Sequence, residues 1–142
     1  MIDASAALRA VRVPVREEAD VILARRRARE LALAEGFSEG RAGAVATAVS
    51  EVAWNIVVHA GAGEILIAVV EDRGRRGIQV VARDPDRGIP DVELAMRDGY
   101  STARSLGLGL AGAKRLMDEF AVVSAVGDGT TVTMKKWAHG RE

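Results

Sequence analysis

The amino-acid sequence predicts an α+β fold, specifically a two-layer α/β sandwich. Three observations lead there. Residues 17–35 and 42–59 each carry apolar residues at the 3.6-residue period of a helix. Pairs of β-rich runs joined by short polar turns follow them. No apolar run approaches the 18 or so residues of a membrane span. At 142 residues the chain is expected to form one domain, with residues 1–9 and 138–142 as flexible ends.

The first strand is expected over residues 12–15, where Pro14 points to a sheet edge. A helix over 17–35 follows, with Val21, Ala24, Ala28, Leu31 and Ala32 as its stripe, acids in its first turn and Gly36 as its stop. Ser38 is the expected N-cap of the second helix, which buries Val45, Ala48, Val49, Val52, Ala53 and Ile56 and breaks at Gly61 and Gly63. Residues 64–71 and 77–83 read as strands around a polar turn at 72–76. Pro85, Gly88 and Pro90 then end the sheet, and residues 98–105 read as a mobile loop. Gly107, Gly109 and Gly112 open a third helix running to about residue 119, with Leu110, Ala113, Met117 and Phe120 inward. The runs 121–126 and 130–137 flank Gly127-Asp128-Gly129 as a last hairpin.

Composition excludes several functions. The formal net charge is zero, which gives no electrostatic footprint for nucleic acid or a membrane surface. The absence of cysteine excludes a disulfide framework and a thiolate zinc site. The two histidines, His59 and His139, lack metal-ligand spacing. A cytoplasmic location is the expectation.

Four short motifs carry candidate chemistry. Glu51 and Asn55 stand four apart, one turn from each other, at the flank of the apolar stripe. A carboxylate and an amide there form either a satisfied structural pair or a site. Asp84 closes a strand, where it either caps the turn or accepts hydrogen bonds from a base amine. Gly107-x-Gly109-x-x-Gly112 formally matches a dinucleotide fingerprint, but the buried strand that must precede one is missing. Those glycines can cradle an anion at a helix start or serve close packing. Thr130 follows the last turn and taken alone reads as a strand residue. Ser50 reads as a helix-face hydroxyl.

Taken in order, Glu51-x-x-x-Asn55, Asp84 to Gly88, Gly107-x-Gly109 and Gly129-Thr130 resemble the GHKL ATPase superfamily. Ser50-Glu51 with Asn55-Ile56, Gly99 through Ser101-Thr102, and residues 114–120 resemble most its anti-sigma-factor and stressosome switch-protein serine/threonine kinases. The resemblance covers residues 10–137. It implies a mixed, mostly antiparallel sheet with helices on one face, and a protein serine/threonine kinase that uses ATP and Mg²⁺. By resemblance, Glu51 is the general base and Asn55 the Mg²⁺ ligand. Asp84 accepts from the adenine amine with Thr130 in support, and Gly88 belongs to the same loop. Gly107, Leu108 and Gly109 reach the phosphates, and Ser101 and Thr102 belong to the lid above them. The implied partners are STAS-domain scaffold or antagonist proteins and a downstream PP2C-type phosphatase or other output protein. The other reading the resemblance leaves is an ATP-binding, anti-sigma-type sequestering module without kinase activity.

The chain departs from the family pattern at Asp86, where the superfamily carries a glycine. A second carboxylate near Asp84 disfavours joint ionisation. Weaker nucleotide binding is expected, and Asp86→Gly is expected to tighten it severalfold in a calorimetric titration with Mg-ATP. Equal affinities for the two proteins would remove Asp86 as the cause.

Overall fold

The computed structural model describes residues 6–85, 110–125 and 129–139. Five strands form one sheet in the order β1-β2-β3-β5-β4: β1 (Ala6–Val15), β2 (Gly63–Asp72), β3 (Arg75–Asp84), β4 (Glu119–Ala125) and β5 (Gly129–Trp137). Among the described residues three α-helices accompany them: α1 (Glu18–Ala34), α2 (Glu39–Asn55) and α3 (Leu110–Leu116). The expected α+β sandwich is the observed fold. All four strand pairings are antiparallel, so the parallel component of the expected mixed sheet is absent among the described residues.

One core joins the two layers. Val13 and Val15, Ile65, Ile67 and Val69, Ile78, Val80 and Ala82, and Val132 and Met134 alternate along their strands and bury one sheet face. Val21, Ala24, Ala28 and Ala32 of α1 and Val45, Ala48, Val49, Val52 and Ala53 of α2 close over them. Alanines at the helix contacts let α1 and α2 lie close together, while the strands supply the larger side chains. The opposite sheet face carries Arg12, Glu64, Arg83 and Lys135. Two ion pairs, Arg12–Glu64 at 2.5 Å and Arg83–Glu64 at 3.5 Å, cross it.

The local signals act where the sequence put them. The Ser38 hydroxyl accepts the Arg41 N–H at 3.1 Å, which caps α2. Gly36 takes a φ of +91° just after α1, a conformation that β-carbon-bearing residues rarely hold. Arg73 and Gly74, at φ +55° and +82°, form the two-residue turn between β2 and β3, tighter than the five residues expected. Pro14 sits on β1, an edge strand as expected.

Two boundaries differ. β1 starts at Ala6 rather than at residue 12, because Ala6 to Arg12 pair with β2, so part of the expected flexible end is sheet. α3 stops at Leu116, and Phe120 lies on β4 instead of on the helix. The Asp118 N–H donates to the Lys135 carbonyl at 2.9 Å, so pairing with β5 takes the donor that a continued helix would need.

A polar clamp fixes that corner. The Asp118 carboxylate accepts from the Arg41 guanidinium at 3.1 Å and from the Trp137 N–H at 2.9 Å. The Arg41 Nε donates to the Trp137 carbonyl at 3.0 Å. The Lys136 ammonium donates to the last α3 carbonyl, Leu116, at 2.7 Å. Burial pushes Lys136 below the usual lysine range, with Asp118 opposing that shift and Arg41 adding to it. Asp118→Ala strips the Trp137 N–H and the Arg41 guanidinium of their shared acceptor. A loss of about 1–3 kcal/mol in a denaturant melt is expected, and an unchanged midpoint would make the clamp incidental.

Candidate functional site

The site gathers where the C-terminal end of α2 meets the ends of β3 and β5. Beyond Asn55 the helix widens into a π-helical turn, Ile56–Ala60, closed by the Gly61 N–H donating to the Ile56 carbonyl at 2.8 Å. Gly61, at φ +85°, then turns the chain into β2. The sequence reading placed this break correctly but gave no sign of the widened turn.

Glu51 and Asn55 are both half-buried on α2. Gly112 of α3 lies beside the carboxylate: a β-carbon there would stand 3.5 Å from Glu51 Oε2. The Asn55 Nδ2 is buried and lacks a hydrogen-bond partner among the described residues. Burying such a group uncompensated costs about 1–3 kcal/mol, so the N–H group is poised for an acceptor that the described residues do not supply. Ser50 is no part of this, since its hydroxyl donates back to the Ala46 carbonyl at 3.1 Å.

Asp84 continues the inward row Ile78, Val80, Ala82 and therefore points toward the helix layer. It pairs across the ladder with Thr130, and such opposed residues sit about 4.5–5.5 Å apart. The Thr130 and Ser124 hydroxyls share a 2.9 Å hydrogen bond, which adds a β4 residue that the sequence reading missed. Alternation along the last hairpin was the available signal, because Phe120, Val122 and Ser124 share a face.

Two glycines make the approach possible. A β-carbon on Gly63 would overlap the Arg83 carbonyl and stand 2.9 Å from Ile56 Cγ2 and 3.2 Å from Asp84 Cβ. A β-carbon on Gly129 would overlap the Asp84 carbonyl and stand 3.0 Å from Pro85 Cα. In the sequence Gly63 signals only a helix break, and its role depends on contacts that no local pattern announces. A cavity of about 470 Å³ beside Asp84 opens on the opposite sheet face, lined by Arg12, Pro14, Glu64, Arg83 and Thr131, so it lies across the sheet from Glu51 and Asn55.

Glu51, Asn55, Asp84 and Thr130 are thus set around one end of the sandwich. Gly88, Ser101, Thr102, Gly107, Leu108 and Gly109, with Asp86, lie outside the described residues. Among the described residues no three acidic or histidine side chains cluster to hold a metal. A single amide oxygen fits the habit of Mg²⁺, which takes most of its shell from phosphate and water.

A buried helix bearing Glu and Asn above an antiparallel sheet, with a strand-end carboxylate opposite, is the frame of an ATP-binding domain. Residues 13–136 match the model of the histidine kinase-like ATPase domain, and the chain belongs to that family. It is 44% identical over 125 residues to the serine/threonine-protein kinase RsbT of Bacillus subtilis strain 168, covering 88% of this chain and 94% of that protein. It is 34% identical over 99 residues to an anti-sigma F factor of Geobacillus stearothermophilus, covering 65% of this chain and 66% of that one. A similar match, also 34% over 99 residues, joins it to an anti-sigma F factor of Caldanaerobacter subterraneus. These similarities place the chain with the protein kinases of the family. No helix among the described residues is long and apolar enough to cross a membrane.

Proposed function

We propose that the chain is a serine/threonine protein kinase of a bacterial partner-switching module. It transfers the γ-phosphoryl group of ATP to a serine or threonine of a STAS-domain scaffold or antagonist protein. Once released from that protein it activates a PP2C-type phosphatase or another output protein. One observation carries the reading: a carboxylate and an amide, whose buried Nδ2 has no partner among the described residues, stand one turn apart on the same helix.

The roles are those that the family resemblance implies, and the chemistry of the side chains supports them. Glu51 accepts the proton of the acceptor hydroxyl as its oxygen bonds to phosphorus, and the bond from phosphorus to the leaving ADP oxygen breaks. Asn55 offers its amide oxygen to Mg²⁺, which when bound neutralises phosphate charge. Asp84 accepts from the adenine amine, and Thr130, steadied by Ser124, lines the same end. Gly107, Leu108 and Gly109 supply backbone donors to the phosphates, with Gly88 in the adenine loop and Ser101 and Thr102 in the lid. Incubation with γ-labelled ATP, Mg²⁺ and a purified STAS-domain protein tests the reading by label transfer.

The second reading is a nucleotide-binding, anti-sigma-type module that sequesters its partner without phosphorylating it; the anti-sigma F factor relatives bear on the sequestration alone. Thermal stabilisation by ADP and ATP alike, with no label on the partner, would select that reading. A nucleotide at 100 times its Kd adds about 2.7 kcal/mol to the native state.

A further inference from the structure

Five large apolar side chains are conspicuously exposed among the described residues: Leu8, Ile22, Trp54, Val58 and Val123. Three of them stand singly on β1, α1 and β4, and isolated apolar residues on a surface need no explanation. Trp54 and Val58 differ, being four residues apart at the C-terminal end of α2 and its π-helical turn, 45% and 53% exposed. They also adjoin Glu51. At about 100° per residue, Asn55 lies about 40° round the helix from Glu51 on the core side, and Trp54 about 60° on the opposite, solvent side. Thr47, also exposed, extends that outer flank one turn back.

A kinase base needs a donor on one side and an acceptor on the other. The core side of Glu51 holds the buried amide of Asn55. The outer side presents an exposed indole and an exposed isopropyl group. We propose that Trp54 and Val58 are the docking surface for the acceptor protein, holding the segment that brings its hydroxyl to Glu51. This rests on the kinase reading for the role of Glu51. Residues three apart on a helix stand about 5–6 Å apart at Cβ, and Val58 lies about 10 Å along the axis from Glu51. The acceptor segment therefore carries an apolar side chain two or three residues from its serine or threonine, at roughly 3.3 Å per extended residue. Tryptophan suits an anchor of this kind, since it covers a large area with few rotatable bonds and is enriched among residues that dominate interface energies.

The experiment compares Trp54→Ala, Val58→Ala and Trp54→Phe with wild type, using Mg-ATP and a purified STAS-domain acceptor. The expected result is an acceptor KM raised tenfold or more in Trp54→Ala, kcat within about twofold, unchanged Mg-ATP affinity and substantial recovery in Trp54→Phe. Acrylamide quenching gives a readout without chemistry: Trp54 is exposed and Trp137 buried, so the acceptor is expected to abolish the readily quenched fluorescence. An unchanged KM with undiminished quenching overturns the proposal. So does a parallel loss of ATP affinity, which would mean that the chain's own segment covers Trp54. A dimer that Trp54→Ala converts to monomer would also overturn it, by assigning the surface to a second copy. Protection from quenching without any label transfer would retain the docking surface and refute the kinase reading instead.

Discussion

Glu51→Gln is expected to slow phosphoryl transfer by about 10²–10⁴-fold while leaving Mg-ATP bound. Glutamine keeps the size of the side chain and its place beside Gly112, but it cannot take up the acceptor proton. The effect therefore belongs in kcat. The remainder of the catalysis comes from positioning and charge neutralisation, which the substitution leaves in place. A quench-flow or labelled-ATP time course measures the rate, and calorimetry checks that the nucleotide still binds. Transfer at the wild-type rate would remove Glu51 from the role of base. Loss of nucleotide binding in parallel would make it a binding residue.

The second large effect is expected at a position without a side chain. Gly129→Ala places a β-carbon onto the Asp84 carbonyl, at a residue whose φ is +85°. The left-handed backbone alone costs a β-carbon-bearing residue about 1–3 kcal/mol, and relieving the overlap costs about 1–3 kcal/mol more. A destabilisation of about 2–6 kcal/mol is expected in a chemical melt. Because β3 and β5 must separate just where Asp84 opposes Thr130, ATP affinity is expected to fall further than stability alone would require. A folded Gly129→Ala protein with wild-type ATP affinity would show that nucleotide binding does not depend on this approach.

The contrast between Glu51 and Gly129 also marks what the sequence makes readable. Glu51, Asn55 and Asp84 stand at positions set by local rules, namely a helical period and the alternation of a strand. That they belong to one site is not read from these local rules but is what the family resemblance implies. Ser38 and Gly36 act as their local chemistry demands. Gly63, Ser124 and the true end of α3 are different, because long-range partners decide them. Gly63 is needed by Ile56 and Asp84, Ser124 finds Thr130 across a hairpin, and the Asp118 N–H is drawn away by Lys135. The early start of β1 is of the same kind, since its first residues read as a loose end until β2 lies beside them. Trp54 is illegible for the opposite reason. On the outer flank of α2 it looks like an ordinary surface residue, and only its distance from Glu51 gives it meaning.

The clamp around Asp118 has a consequence for the timing of binding. α2 is held near its first turn by Arg41, which reaches both Asp118 and the Trp137 carbonyl, and near its last by Ile56 wedged beside Gly63 and Asp84. A beam fixed at both ends neither slides nor rolls. The spacing between Glu51 and Asn55 is therefore set during folding and not during ligand capture. The entropy of aligning the Glu51 carboxylate with the Asn55 amide is met once for the lifetime of the native state, and an arriving ligand meets the pair already in position.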